Sequence, residues 1–289
     1  MSLDRARVPG LLLRGAAMGV AEVVPGVSGG TIAFVTGIYD EFIDTLAQLD
    51  HRLVATFIEL GPVATWRRFN QGFLCCHGLG KVTAALAFAR LIESAFVLAA
   101  PMVWAFFFGL ILYSAGAMAV TLSRRRYPLV LLGALLGVSV TTLAPAGAPD
   151  GALWFFAGGA LAISAWLLPA VSGSFLLLLL GLYEPVVRAV NDLDIVRVGL
   201  FMAGCAFGVL AFTKLLRWVL VRYRDPLIAV LTGLMFGALP KLWPWQFDGA
   251  LLSPSAYAAI AEHGSLTLWV PPSAVLGALL LWALSRVRA

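Results

Sequence analysis

Charged residues are scarce in this chain. Only 12% of its 289 residues are Asp, Glu, Lys or Arg, whereas 61% are hydrophobic and the mean hydropathy is +0.93. This composition excludes an ordinary soluble domain. Apolar runs of roughly 18 to 25 residues recur, and each is long enough to cross a ~30 Å hydrocarbon layer as a helix. The sequence therefore predicts an all-α polytopic membrane protein.

Cysteine and histidine are equally rare, with three of each. Cys75, Cys76 and Cys205 have neither a metal-ligand spacing nor a paired framework, so we interpret them as small reduced hydrophobic residues. The histidines are too scattered for a metal site or a catalytic dyad, and no nucleotide-binding or HExxH motif is present. We therefore expect no metal and no cofactor. The net charge of +5 comes from basic residues that flank apolar runs, so we expect no nucleic-acid partner.

Two segments repeat nearly the same sequence at a spacing of 144 residues, which is half the chain length. The first reads Pro-Gly-Val-Ser-Gly-Gly-Thr over residues 25–31 and continues to Gly-Ile-Tyr-Asp at 37–40. The second reads Pro-Ala-Val-Ser-Gly-Ser-Phe over 169–175 and continues to Gly-Leu-Tyr-Glu at 181–184. We infer a duplicated protein, with repeat 1 at 1–145 and repeat 2 at 146–289.

Apolar patterning separates full crossings from the two motif regions. The motif regions, 10–45 and 151–187, each consist of two apolar arms of about 15 residues, and such an arm covers only about 22 Å. We expect each region to form a re-entrant helical hairpin, and two thin, tilted spans that return to the same side are the alternative. Full crossings are predicted at 73–97, 101–122, 127–145, 197–221, 226–244 and 268–286.

Basic residues are distributed asymmetrically about these segments. The loops 146–150 and 246–267 contain no Lys or Arg, which predicts that both termini are cytoplasmic. The segment 46–72 would then be an amphipathic helix on the inner membrane surface. Each half is a hairpin plus three crossings, so the second half is inverted relative to the first. Inverted repeats are the architecture of alternating access.

The two Pro-x-x-Ser-Gly breaks have the chemistry of an anion site. Pro25 and Pro169 end the incoming arms, and hydroxyls such as those of Ser28 and Ser172 can cap the outgoing arms. Each outgoing arm then begins inside the membrane with unpaired N–H groups and the positive end of a helix dipole, which favours an anion. We expect the two breaks to meet tip to tip near the midplane. The alternative is that both are kinks with small contact residues.

An anion at that depth also needs cations. Lys214 is the first candidate, because it lies roughly 15 Å inside the membrane, where an unpaired Lys costs on the order of 3 kcal/mol. Snorkelling towards the interface is the alternative. Arg90 is the second candidate, although a local ion pair with Glu93 on the same helix face accounts for its presence equally well. Lys81 lies opposite Arg90 and nearer the helix end, which makes it a weaker candidate.

Two further charged residues, Arg14 and Glu22, lie in the first arm. Glu22 comes just before the first break, so it is a candidate protonatable gate, with Arg14 eight residues earlier on the same arm. A satisfied cap or an ion-pair partner is the alternative interpretation. The sequence leaves open whether a proton or a sodium ion is coupled to any transport.

The doubled motif, with Gly-x-Tyr-acid after each copy, resembles the bacterial polyprenyl-phosphate transporter family, long catalogued as a domain of unknown function. The resemblance covers nearly the whole chain and includes the stretches 108–111 and 213–216; Ala170 departs from the Gly usual in the family. It implies recycling of undecaprenyl phosphate, the lipid carrier of cell-wall synthesis. The head-group site that the resemblance implies is Ser28, Gly29, Gly30, Thr31, Ser172, Gly173 and Ser174.

We therefore expect a flippase of the bacterial cytoplasmic membrane that moves polyprenyl phosphate by alternating access. The phosphate would bind the paired helix starts and Lys214, while the prenyl tail stays in the bilayer. An ion-coupled transporter of a small soluble anion is the alternative. An integral-membrane lipid phosphatase is disfavoured, because no histidine accompanies either motif.

Overall fold

The described part of the chain is almost entirely helical in a computed structural model, as predicted. The structure describes residues 7–24, 27–49, 58–59, 61, 70–143, 147, 151–169, 171–247, 249–261 and 264–286. The helices are α1 (Val8–Val23), α2 (Gly29–Val35), α3 (Tyr39–Ala47), α4 (Gln71–Thr121), α5 (Tyr127–Thr142), α6 (Leu153–Leu167), α7 (Gly173–Leu179), α8 (Tyr183–Asn191), α9 (Ile195–Arg222), α10 (Arg224–Ala238), α11 (Pro254–Ala258) and α12 (Val270–Arg286). Turns of 3-10 helix occupy Arg124–Arg126 and Leu239–Leu242, and strands β1 (Gln246–Phe247) and β2 (Ala250–Leu251) form a short antiparallel hairpin.

Three helical segments of the described chain are long and apolar enough to cross a membrane by length and composition. They are Gly72–Thr121, Ile195–Arg222 and Arg224–Leu242. A fourth is obtained if α7 and α8, which bend by 106° at their junction, count as one broken span. Most of the predicted amphipathic segment at 46–72 lies outside the described residues, and so do Pro25, Gly26 and Ala170.

Helix α4 contains two of the predicted crossings. Its 51 residues would extend about 76 Å, more than twice the hydrocarbon thickness. Ala99 breaks the helix with φ −153° and ψ 48°, and Pro101 follows in the same stretch. The break falls in the predicted gap between 97 and 101. Tyr223, 124 positions later, separates α9 from α10 with nearly the same conformation, φ −134° and ψ 43°.

The prediction of two arms of about 15 residues in each motif region is wrong for the outgoing arm. That arm is two short helices, α2 and α3 in repeat 1 and α7 and α8 in repeat 2. Gly37 and Gly181, at φ +77° and +66°, separate the helices of each pair. Only glycine adopts this left-handed conformation without steric cost, so the Gly-x-Tyr part of the motif encodes a second break.

Glycine contacts pack the incoming arm of each motif against a long helix. A Cβ atom at Gly15 would overlap the carbonyl of His77, which joins α1 to α4. A Cβ atom at Gly159 would overlap the carbonyl of Phe201, which joins α6 to α9. The two contacts correspond residue by residue, because Gly159 lies 144 positions after Gly15 and Phe201 lies 124 positions after His77.

The same correspondence applies to contacts between the halves. A Cβ atom at Gly109 in α4 would overlap the carbonyl of Ala274 in α12, and one at Gly233 in α10 would overlap the carbonyl of Val130 in α5. Gly233 lies 124 positions after Gly109, and Ala274 lies 144 positions after Val130. The second segment of α4 therefore packs against α12, and α10 packs against α5.

Candidate functional site

The first motif touches the break of the second. Ser28 is the N-cap of α2, and its Oγ accepts a hydrogen bond from the Gly30 N–H at 3.2 Å. The same hydroxyl donates to the carbonyl oxygen of Leu168, just before the second motif, at 3.3 Å. Tyr39 Oη donates to the carbonyl oxygen of the adjacent Leu167 at 2.9 Å. This junction is closed, since Ser28 and Tyr39 are only 3% and 2% exposed.

The second motif has the same local capping but a more open setting. Ser172 Oγ accepts from the Phe175 N–H at 3.4 Å and shares a hydrogen bond with Ser174 Oγ at 2.9 Å. The predicted capping by Ser28 and Ser172 is thus confirmed. Ser172 is half-buried and Ser174 is exposed, unlike the residues of the first motif.

A cavity of about 80 Å³ lies beside the second motif. Ser172 and Phe175 line it together with Thr141 of α5 and Lys241 of the 3-10 turn after α10. Lys241 Nζ lies 4.9 Å from the centroid of the Phe175 ring. The cavity therefore combines a hydroxyl and an ammonium with mainly apolar walls. Sequence reasoning missed Lys241, and the signal was a lysine directly after Pro240 inside a predicted crossing.

A second charged cluster lies where the halves meet. Glu22 Oε1 accepts hydrogen bonds from Lys81 Nζ and from Trp166 Nε1, each at 2.8 Å. Lys81 Nζ also lies 4.0 Å from the centroid of the Trp166 ring. The carboxylate packs against the first motif, since a Cβ atom at Gly29 would lie 2.5 Å from Glu22 Oε1. Of the two interpretations left open for Glu22, the ion pair is present in the structure, and a gating role stays a prediction.

The other predicted site residues divide into buried and exposed groups. Gly29, Gly30, Thr31 and Gly173 are buried within the motifs, and Arg14 is buried in α1. Lys214 and Arg90 are exposed, and neither makes a hydrogen bond or an ion pair with the described motif residues. Arg90 and Glu93, both described, form no ion pair with each other. The structure thus brings Lys81 and Lys241, rather than Lys214 and Arg90, to the motifs.

Two ion pairs join α3 to helices α9 and α10. Asp44 Oδ1 lies 2.9 Å from Arg217 Nε of α9, and Asp40 Oδ2 accepts from Arg224 Nη1 of α10 at 2.7 Å. Helix α3 also packs along α9. Together with the Tyr39 hydrogen bond, these contacts hold α3 against repeat 2, and a cavity of about 360 Å³ lined by Asp40, Asp44, Arg217 and Arg224 remains beside them.

Comparison with known proteins identifies relatives over most of the chain. The family model described as undecaprenyl phosphate translocase-like matches residues 18–256. A polyprenyl-phosphate transporter of Vibrio cholerae is 40% identical over 237 residues, which cover 81% of this chain and 77% of the relative. A polyprenyl-phosphate transporter of Staphylococcus aureus is 29% identical, covering 81% of this chain and 85% of the relative. No solved structure matches the chain.

Proposed function

Because this chain belongs to the undecaprenyl phosphate translocase-like family, we propose that it translocates polyprenyl phosphate, undecaprenyl phosphate in particular, across the bacterial cytoplasmic membrane. The identity of 40% to a transporter named for polyprenyl phosphate supports this substrate. The observation that carries the proposal is the cavity at the second motif, where Ser172 and Lys241 lie together among apolar side chains.

The cavity is chemically suited to a lipid phosphate head group. A phosphate monoester carries about −1.5 to −2 charges at pH 7, so it requires a cation when it leaves water. Lys241 supplies that charge, and the hydroxyl of Ser172 supplies a hydrogen-bond donor. We assign the cation to Lys241 rather than Lys214, because Lys241 lines the cavity and Lys214 is exposed on α9. The cavity offers its polar groups to the head group, and the tail would remain in the bilayer.

The proposed mechanism is alternating access by an inverted repeat, in which each half is a re-entrant hairpin plus three crossings. The corresponding glycine contacts of the two halves and the exchange of helix partners between them support this architecture. Ser28 of the first motif occupies the position that Ser172 occupies in the second. The two motifs would therefore present equivalent surfaces to opposite leaflets in turn.

The sidedness of the cavity follows from the positive-inside rule. Helix α5 begins just after the basic turn Arg124–Arg126, and α10 begins at Arg224. Thr141 and Lys241, which line the cavity, lie at the opposite ends of these two segments. With the basic ends in the cytoplasm, the termini are cytoplasmic too, and the cavity faces the outer leaflet, where used carrier lipid accumulates.

The proposal is tested by translocation in proteoliposomes. Undecaprenyl phosphate with a labelled phosphate is placed in the inner leaflet, and an external phosphatase reports its arrival in the outer leaflet. We expect release of label that requires the protein and that falls in the Lys241→Met variant. Absence of protein-dependent release, combined with uptake of inorganic phosphate, would favour a transporter of soluble anions instead.

A further inference from the structure

Residues of the two halves correspond at fixed spacings along the chain. A residue in α1 to α3 corresponds to the residue 144 positions later, and a residue in α4 to the one 124 positions later. The glycine contacts of both halves obey these spacings. Each contact of one half therefore has a defined counterpart in the other, and a counterpart that is not formed marks a difference between the two sides.

The packing of α3 against α9 is such a difference. Its counterpart is α8 packed against the first segment of α4, residues 71–98, and in the described chain these two elements have at most marginal contact. Tyr39 is 2% exposed and donates to Leu167, whereas its counterpart Tyr183 is 43% exposed. Leu167 corresponds to Val23, which lines a separate cavity of about 390 Å³ against α4. A cavity of similar size, about 360 Å³, lies beside the Asp44–Arg217 pair, so the difference between the two sides rests on the helix contact and on the tyrosine.

The ion pair between Asp44 and Arg217 has a counterpart of reversed sign. Asp44 corresponds to Arg188 in α8, and Arg217 corresponds to Glu93 in α4. Glu93 lines the same cavity as Val23. Arg188 and Glu93 are both exposed, and neither makes an ion pair with another described residue. The sequence thus retains complementary charges at the two positions even though the structure keeps them apart.

We infer that Glu93 and Arg188 form the ion pair that closes the opposite side of the protein, with the Tyr183 hydroxyl donating to the Val23 carbonyl. In that state α8 packs against the first segment of α4, and the Asp44–Arg217 and Tyr39–Leu167 contacts separate. Each state then has one such ion pair and one tyrosine hydrogen bond on its closed side. The inference rests on the proposed alternating access and names the residues that hold its second state.

A matched control exists one turn away on the same helix. Asp40 pairs with Arg224. The counterpart of Asp40 is Glu184 in α8, one turn before Arg188. Arg224, however, follows the long helix at the position that corresponds to Ala100, which carries no charge. Glu184 is exposed like Arg188 but has no charged counterpart to meet. Reversal of its charge therefore tests for unspecific effects on α8.

Charge exchange is the first test, with translocation as the readout. We expect the single variants Glu93→Arg and Arg188→Glu to lower the translocation rate by about two- to fivefold, the scale of one exposed ion pair. The double variant should recover to within about twofold of wild type, since it restores the attraction. Glu184→Lys should leave the rate unchanged. Single variants that transport normally, or a double variant no faster than the slower single variant, would overturn the inference.

Cross-linking is the second test, and it needs no substrate. In a protein whose three cysteines are replaced by alanine, a short bis-methanethiosulfonate reagent should join Glu93→Cys to Arg188→Cys as well as Asp44→Cys to Arg217→Cys. Failure of the first pair in protein where the second pair reacts would refute the inference and leave the proposed function intact. Cross-linking of both pairs in a protein that does not move polyprenyl phosphate would refute the proposed function and leave the two states standing.

Discussion

Replacement of Lys241 by methionine is the sharpest test of the head-group site. Methionine keeps most of the aliphatic length of lysine and removes only the ammonium, so the packing against Phe175 is largely preserved. A hydrogen bond to a charged group contributes about 1.5–3 kcal/mol. Loss of this contact should therefore weaken binding of a polyprenyl phosphate by roughly 10- to 150-fold in Kd.

The assay is equilibrium binding of a short-chain polyprenyl phosphate to protein in nanodiscs, with two controls. Lys214→Met removes a lysine that is exposed and should change the affinity by less than about twofold. The corresponding uncharged polyprenol should bind wild type and Lys241→Met equally, because it lacks the group that Lys241 contacts. Equal affinity of both lysine variants for the phosphate, or an equal loss for the polyprenol, would refute the reasoning.

Three further substitutions test the packing and the caps. Gly109→Val should lower thermal stability by about 1–3 kcal/mol, because the new side chain meets the backbone of α12, while Gly116→Val on the same helix meets nothing within 4 Å and should be near neutral. Ser28→Ala should cost about 1–2 kcal/mol of stability through loss of the α2 cap, and an unchanged melting temperature would contradict the capping geometry. Glu22→Gln should destabilise the protein by about 1–3 kcal/mol, because it leaves the partly buried Lys81 without its carboxylate partner. The double variant Glu22→Gln with Lys81→Met should recover part of the loss, and no recovery would argue against the pair.

The features encoded locally were predictable from the sequence. The spacing of 144 residues predicted a duplication, and the same spacing separates Glu22 from Trp166, which meet in the structure. The gap between the first and second predicted crossings located the break at Ala99. The hydroxyl–glycine pattern identified Ser28 and Ser172 as helix caps. The break and the caps depend on a few adjacent residues and on backbone preferences.

Features that depend on which face of a helix meets its neighbours were not predictable. The predicted depth in the membrane made Lys214 the first candidate. Successive residues of a helix are rotated by about 100° around its axis, so depth alone does not tell which neighbour a side chain faces. Thr213 is buried and Lys214 is exposed, so the lysine points away from the packed face. Lys241 was marked only by its place after Pro240 in a predicted crossing, and that place does not tell which helix the side chain faces. The positive φ of Gly37 was hidden because a glycine between apolar residues also fits a continuous helix.

Labelling of a cysteine in the cavity shows from which side of the membrane the proposed head-group site is reached. Val140 lines the cavity beside the second motif, so Val140→Cys in the cysteine-free protein reports access to the proposed head-group site. We predict that a membrane-impermeant maleimide labels it from the outer side of intact cells and that undecaprenyl phosphate, but not undecaprenol, slows the labelling. Labelling from the cytoplasmic side alone, or labelling that the phosphate lipid does not slow, would contradict the account.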